Sequence, residues 1–264
     1  MKKVCSLIIL VILMFTLTGC SSKSENKANT TSTKNASKQN SVSNTSKVNS
    51  ESSKYDNADY VASAEKQMSM PEVGEMVAIL HIKNFGDVKV KFFEDIAPKA
   101  VENFVTHAKN GYYNGLTFHR VVDEFMIQGG DPEGNGTGGE SIWGEGFGTE
   151  VDSRLVPYRG SLCMAMSMLP NSIGSQFFIT QAHYSSQMEV YFKGFPTQLI
   201  EQYRKYGGYL SLFMEYTVFG QVYEGIEVVD KIAQVETTMS DSGEKSKPVE
   251  DVIIESIEVT TYKK

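Results

Sequence analysis

At 264 residues, 41% hydrophobic and 22% charged, the chain has room for one well-cored domain with appendages. Of its 25 basic and 32 acidic residues, two lysines fall in residues 1–20, and six lysines and two glutamates in residues 21–54. That leaves 17 basic against 30 acidic in residues 55–264, a balance that repels phosphate backbones and excludes nucleic acid as a partner.

The chain starts Met1-Lys2-Lys3, continues apolar to Phe15, and reaches Leu17-Thr18-Gly19-Cys20. A basic start, a short apolar run and small residues before a cysteine read as an export signal; the run is too short for a comfortable membrane span. Leu-Thr-Gly-Cys also resembles a bacterial lipobox. That resemblance implies cleavage after residue 19 and a lipid on the Cys20 thiol, holding the protein at the outer face of the cell membrane. The alternative is a plain signal peptide with an incidental cysteine. Residues 20–54, rich in Ser, Thr, Asn and Lys, carry too little apolar surface to offset the entropy of ordering and are expected to form a disordered tether. Residues 55–75 are a lead-in, a short helix or an extended segment. The domain proper is expected over 76–264, where Cys163 is the single cysteine. It sits in the apolar run Leu162-Cys163-Met164-Ala165, as a buried small hydrophobe.

Met76 to Ile82 reads as a buried strand, Asn84-Phe85-Gly86-Asp87 as a turn, and Val88 to Phe93 as an alternating partner strand. Ala97, Val101, Phe104, Val105 and Ala108 recur at helical spacing, with Asp95 as the cap, Pro98 in the first turn and Asn110-Gly111 at the end. Short strands are expected near 115–120, 125–130, 160–166, 176–181 and 217–223, a helix from Gly225 to Ala233, and a closing strand from Asp251 to Thr260. Strands in runs with two helices predict a mainly β fold, a closed antiparallel barrel with helices over its ends. Residues 185–211 break this rhythm. Gln198 to Tyr206 looks helical and Gly207-Gly208 stops it, as a helical insertion would.

The run from Phe118 to Gly130 mixes Arg120, Phe125, Met126 and Gln128. A strand that places an amide beside an apolar side chain, with an arginine nearby, has the texture of a ligand groove. From Tyr113 to Gly130 the chain resembles the cyclophilin family of peptidyl-prolyl cis-trans isomerases. Two further blocks agree: Met164-Ala165 with Asn171-Ser172-Ile173-Gly174-Ser175-Gln176-Phe177-Phe178-Ile179, and Tyr216 to Val222. The resemblance covers about Met76 to Thr260 and implies an eight-stranded barrel capped by two helices.

It also implies site roles. Arg120 donates to the imide nitrogen, while Phe125, Met126 and Phe178 take the proline ring. Gln128 and Gln176 hold the peptide or orient the arginine. Ala165 and the backbone at Met166 line the substrate strand, and Leu212 and Tyr216 complete the wall. Tyr216 stands where a histidine is frequent, Ser211 where many members have an aromatic ring, and Phe213-Met214 where an Asp-Gly turn is usual. Isomerisation of an X-Pro bond, opposed by a barrier of about 18–20 kcal/mol, needs no metal or cofactor, and none is expected. The implied partners are proline-containing segments of exported polypeptides, met by a monomer.

Blander readings stand beside these: a structural ion pair for Arg120, buried structural amides for Gln128 and Gln176, and a core histidine bonded to backbone for His119. At the level of the whole chain, the alternatives are a weakly catalytic or non-catalytic proline-peptide-binding module and, less well supported, a lipoprotein that captures a small solute. Asp131 to Gly136 starts like an EF-hand loop, but Ile142 stands where its closing Glu belongs. The glycine run to Gly139 lacks a Gly-Lys-Ser/Thr ending, and no Gly-x-Ser-x-Gly elbow is present.

Overall fold

The computed structural model describes residues 59–264; the export signal, Cys20 and the tether lie outside the described residues. Helix α1 (Tyr60–Met68) opens the fold, with the Asp59 carboxylate accepting from the Val61 and Ala62 amides, the side-chain cap that helix starts favour. The order continues β1 (Met76–Ile82), β2 (Gly86–Phe92), α2 (Pro98–Lys109), β3 (Arg120–Val122), β4 (Met126–Gly129), β5 (Ser161–Met164) and β6 (Phe177–Thr180). After α3 (Thr197–Tyr206) come β7 (Val218–Glu224), α4 (Ile226–Ala233), β8 (Thr237–Met239), β9 (Lys245–Pro248) and β10 (Ile254–Thr261).

Eight strands form one antiparallel sheet in the order β10-β1-β2-β7-β5-β6-β4-β3. The closed barrel expected from the sequence is corrected to a curled, incomplete one: no ladder joins β3 to β10 among the described residues. The cause lies in the segment expected to be a strand over 115–120. Gly111 and Gly115 take positive φ (70° and 82°) in a turn, and regular pairing starts only at Arg120. Residues 115–118 meet 252–254 through the single bridge Thr117↔Ile253 and the bonds Gly115 N→Ile254 O, Ile254 N→Leu116 O and Phe118 N→Val252 O.

The α2 cap is also corrected. Ala97, not Asp95, is the cap residue and offers no side-chain bond. The carboxylate of Glu150, distant in sequence, accepts instead from the Lys99 and Ala100 amides at 3.1 and 2.9 Å, where a negative charge also suits the helix dipole.

One core fills the concave side of the sheet, with Val101, Phe104 and Val105 from α2 and Val228, Val229 and Ile232 from α4. Phe104 is its hub, with ring centroids 5.1–5.4 Å from Phe177, Tyr113 and Phe219. A second cluster joins two segments that the sequence treats separately. Tyr60 and Ala64 of α1 pack with Leu199 and Tyr203 of α3, and with Tyr158, Phe192, Leu210 and Phe213. The buried Gln67 of α1 donates to Val156 O, Ser161 Oγ and Gln221 Oε1, tying the lead-in to the barrel. Gly207-Gly208 ends α3 in a place only glycine fits: a Cβ on Gly208 would lie 2.2 Å from Pro157 O.

Candidate functional site

The site is built where β3, β4, β5 and β6 meet the end of the insertion. Strand pairing sets Arg120 opposite Gln128, and Gln128 opposite Phe178. The tight turn between β3 and β4 places Glu124 at φ 56° and swings Phe125 toward the groove. Arg120 Nη1 donates to Gln128 Oε1 at 3.2 Å and lies 3.8 Å from Met126 Sδ. Gln128 Nε2 then donates to Gln176 Oε1 at 2.9 Å, and Gln176 Nε2 to Gly138 O at 2.8 Å. This relay runs in one direction, because the guanidinium has only donors and so fixes which end of each amide faces it.

Around the relay is an apolar depression of about 100 Å³, lined by Arg120, Phe125, Met126, Gln128, Ala165, Met166, Phe178, Leu212 and Tyr216. Of the residues expected to bind or act on the substrate, Gln176 alone stands outside this lining. It lines the adjoining groove of about 250 Å³, which shares Gln128, Ala165 and Met166 with the depression. The floor is rigid: Met126 and Phe178 are buried, and Tyr216 packs edge-on to Phe178 at 5.6 Å. The guanidinium carbon sits 5.7 Å from the centroid of Phe125. A space of this size accepts one small apolar ring, and the open groove beside it accepts extended chain.

Tyr209 lies at the end of the insertion, two residues before Ser211. Its ring packs on Phe125 at 4.5 Å, so an aromatic group does stand beside the wall that Ser211, exposed to solvent, leaves open. Met214 takes φ 61°, the left-handed conformation that the glycine of an Asp-Gly turn supplies more readily.

Glu244 was missed. It stands just before β9, and its two carboxylate oxygens accept from Arg120 Nε at 2.6 Å and Nη2 at 2.9 Å. Arg120 therefore has the ion pair of the blander reading together with its place in the depression. The Arg120 bond holds the Glu244 carboxyl below the usual carboxylate range, against the opposing effect of burial and with help from Ser246. The available signal was the turn-rich Ser240-Asp241-Ser242-Gly243 between polar strand-like runs, a hairpin pattern. His119 is corrected: it is buried, but neither ring nitrogen has a partner, so it is not bonded to backbone. Burial lowers its pKa, which suits a neutral ring. Cys163 is buried with a thiol pKa pushed up by burial, as expected of a hydrophobe. Asp131 organises the glycine-rich loop, with its carboxylate accepting from the Glu133, Asn135 and Gly136 amides.

Residues 77–259 match the family model described as cyclophilin type peptidyl-prolyl cis-trans isomerase/CLD. A Staphylococcus aureus protein named "Putative peptidyl-prolyl cis-trans isomerase" is 46% identical over 189 residues, covering 70% of this chain and 92% of its own. A Staphylococcus epidermidis protein of the same name is 46% identical over 188 residues, with the same shares of each chain covered. Among solved structures, a Cryptosporidium parvum cyclophilin type isomerase superposes with a TM-score of 0.56 and 32% identity over 72% of this chain and 99% of its own. A second structure of that protein, determined in the presence of the dipeptide Ala-Pro, gives 0.55 and 32% over 70% and 99%.

Proposed function

The chain belongs to the cyclophilin-type peptidyl-prolyl cis-trans isomerases, and from that membership we propose how and where it acts. The apolar depression takes the proline ring against Phe125, Met126, Phe178, Leu212 and Tyr216. The adjoining groove holds the flanking chain along Ala165 and Met166, with Gln128 and Gln176 bonding to its backbone. Arg120 donates to the imide nitrogen as the bond twists. This localises the lone pair that amide resonance otherwise delocalises, and so lowers the barrier by preorganised electrostatics. A guanidinium suits the task because it is permanently charged and rigidly forked. The single observation that carries this reading is a guanidinium held at the wall of a depression sized for one ring, 5.7 Å from Phe125.

The substrates are X-Pro segments of exported polypeptides, and the protein meets them as a monomer held to the outer membrane face by a lipid on Cys20. What supports this location is the sequence from Met1 to Cys20 and the lysine-bearing run behind it. The test is cis-trans exchange in a proline peptide, followed by NMR with the purified protein. An exchange rate equal to that of the peptide alone sinks the isomerase reading. A second reading, a peptide-binding module with feeble catalysis, is favoured by one feature: Glu244 already occupies two guanidinium donors. Peptide binding without faster exchange would establish it.

A further inference from the structure

We propose that Glu244 is a positioning residue for Arg120, with the β8–β9 hairpin serving to bring a carboxylate to the guanidinium. The inference rests on the isomerase reading of the site.

Arginine is long and rich in rotamers, and only local contacts confine its head group. Arg120 stands on a three-residue strand at the sheet edge, with β4 as its ladder partner, and its side chain is 34% exposed. Backbone pairing therefore leaves the fork free to swing toward solvent. Glu244 restricts it. The carboxylate takes Nε and Nη2 together in a two-point contact, and such a contact fixes a plane as well as a distance. With that edge held, Nη1 falls on the opposite side, against Gln128 and Met126, two residues that line the depression.

The hairpin is in turn fixed at this end. Ser240 donates from both its amide and its hydroxyl to Glu244 O, at 2.7 and 3.0 Å, and Gly243 closes the turn at φ 81°. Ser246 is buried immediately beyond it. The two strands pair with each other outside the main sheet, and β9 lies alongside β3, which brings this carboxylate to Arg120. A pair this exposed adds little to stability. Its effect is expected on the orientation of Arg120, where small misplacements slow a reaction strongly.

The experiment compares the parent with Glu244→Ala, Glu244→Gln, Glu244→Asp and Arg120→Ala. It reads kcat/KM on a proline peptide, the peptide's Kd, the melting temperature, and the Nε–Hε NMR signal of Arg120. Expected are a loss of about tenfold in kcat/KM for the Ala and Gln variants, with Kd within a factor of about two. The slowly exchanging Arg120 signal should vanish in both, and Glu244→Asp should recover part of the activity and the signal. Parent-like or higher kcat/KM in Glu244→Ala overturns the proposal, as does a loss matched by weaker peptide binding or by unfolding. Failure of the isomerase reading looks different: the parent is then no faster than Arg120→Ala. An active parent, an inactive Arg120→Ala and an undiminished Glu244→Ala would reject the role of Glu244 alone.

Discussion

Arg120→Ala separates chemistry from folding. The side chains of Arg120 and Glu244 are 34% and 41% exposed, so Glu244 can turn to water when its partner is removed. A pair this exposed contributes at most about 1 kcal/mol once screening is allowed for, and the contact over Phe125 adds about 0.5 kcal/mol. For a domain of this size, 1 kcal/mol moves the melting temperature by about 2–4 °C, so a fall of roughly 3–6 °C is expected. Activity should respond very differently. Removing one preorganised donor from a reacting centre commonly costs about a hundredfold or more in rate. The assay pairs cis-trans exchange with thermal unfolding followed by circular dichroism. Parent-level catalysis in the variant would falsify the mechanism. A fall in melting temperature of tens of degrees would instead make Arg120 a structural residue.

Four further outcomes are expected. Asp131→Asn should destabilise by about 1.5–3 kcal/mol, the usual size for bonds to a charged group, measured by urea unfolding. Burial pushes the Asp131 carboxyl up, but amides from Glu133, Gly136, Asn135 and Gly138 bring it below the ordinary aspartate value. The parent's advantage is thus full above about pH 4 and lost as pH falls through the lower native value; a variant whose deficit is the same at all acid pH values contradicts this. Cys20→Ser should release the protein from membranes or leave the signal uncleaved, as fractionation and mass would show, because a lipid there is the proposed anchor. Tyr209→Ala should weaken proline-peptide binding several-fold, read by titration, by stripping support from Phe125. Phe104→Ala should cost about 3–5 kcal/mol of stability in urea unfolding, since its ring meets four others.

The elements set by local pattern were largely legible. Alternation over Val88 to Phe93, helical spacing from Val101 to Ala108, and the Asn110-Gly111 stop each specify their own conformation within a few residues. The residues lining the depression were legible for a different reason. Arg120, Phe125, Met126 and Gln128 lie in one short hairpin, so strand pairing alone brings them together, and the resemblance supplied the second block around Phe178. What stayed hidden depends on contacts between segments far apart in the chain. Glu150 replaces Asp95 at the start of α2, and Glu244 reaches Arg120 across 124 positions; nothing in the neighbourhood of either carboxylate points to its partner. The same holds for the union of α1 with the insertion. Residues 55–75 read as a lead-in and Gln198 to Tyr206 as the helix of an insertion, and the two become core only when they face each other.

That union makes the entrance of the fold a mechanical input. A pull on the chain ahead of Tyr60 is delivered to α1, whose first side chain packs edge-on to Phe213 at 6.3 Å. Phe213 directly follows Leu212, a wall of the apolar depression, and Tyr209 on the same segment packs at a tilt against Phe125. Force applied ahead of Tyr60 is therefore carried to the Leu212 wall of the binding site, whereas the Arg120 relay rests on β3 and β4. Cutting the chain at Met76 has the matching effect. It removes Tyr60, Ala64 and Gln67, bares the aromatic faces of Tyr203 and Phe213, and leaves that wall without its brace.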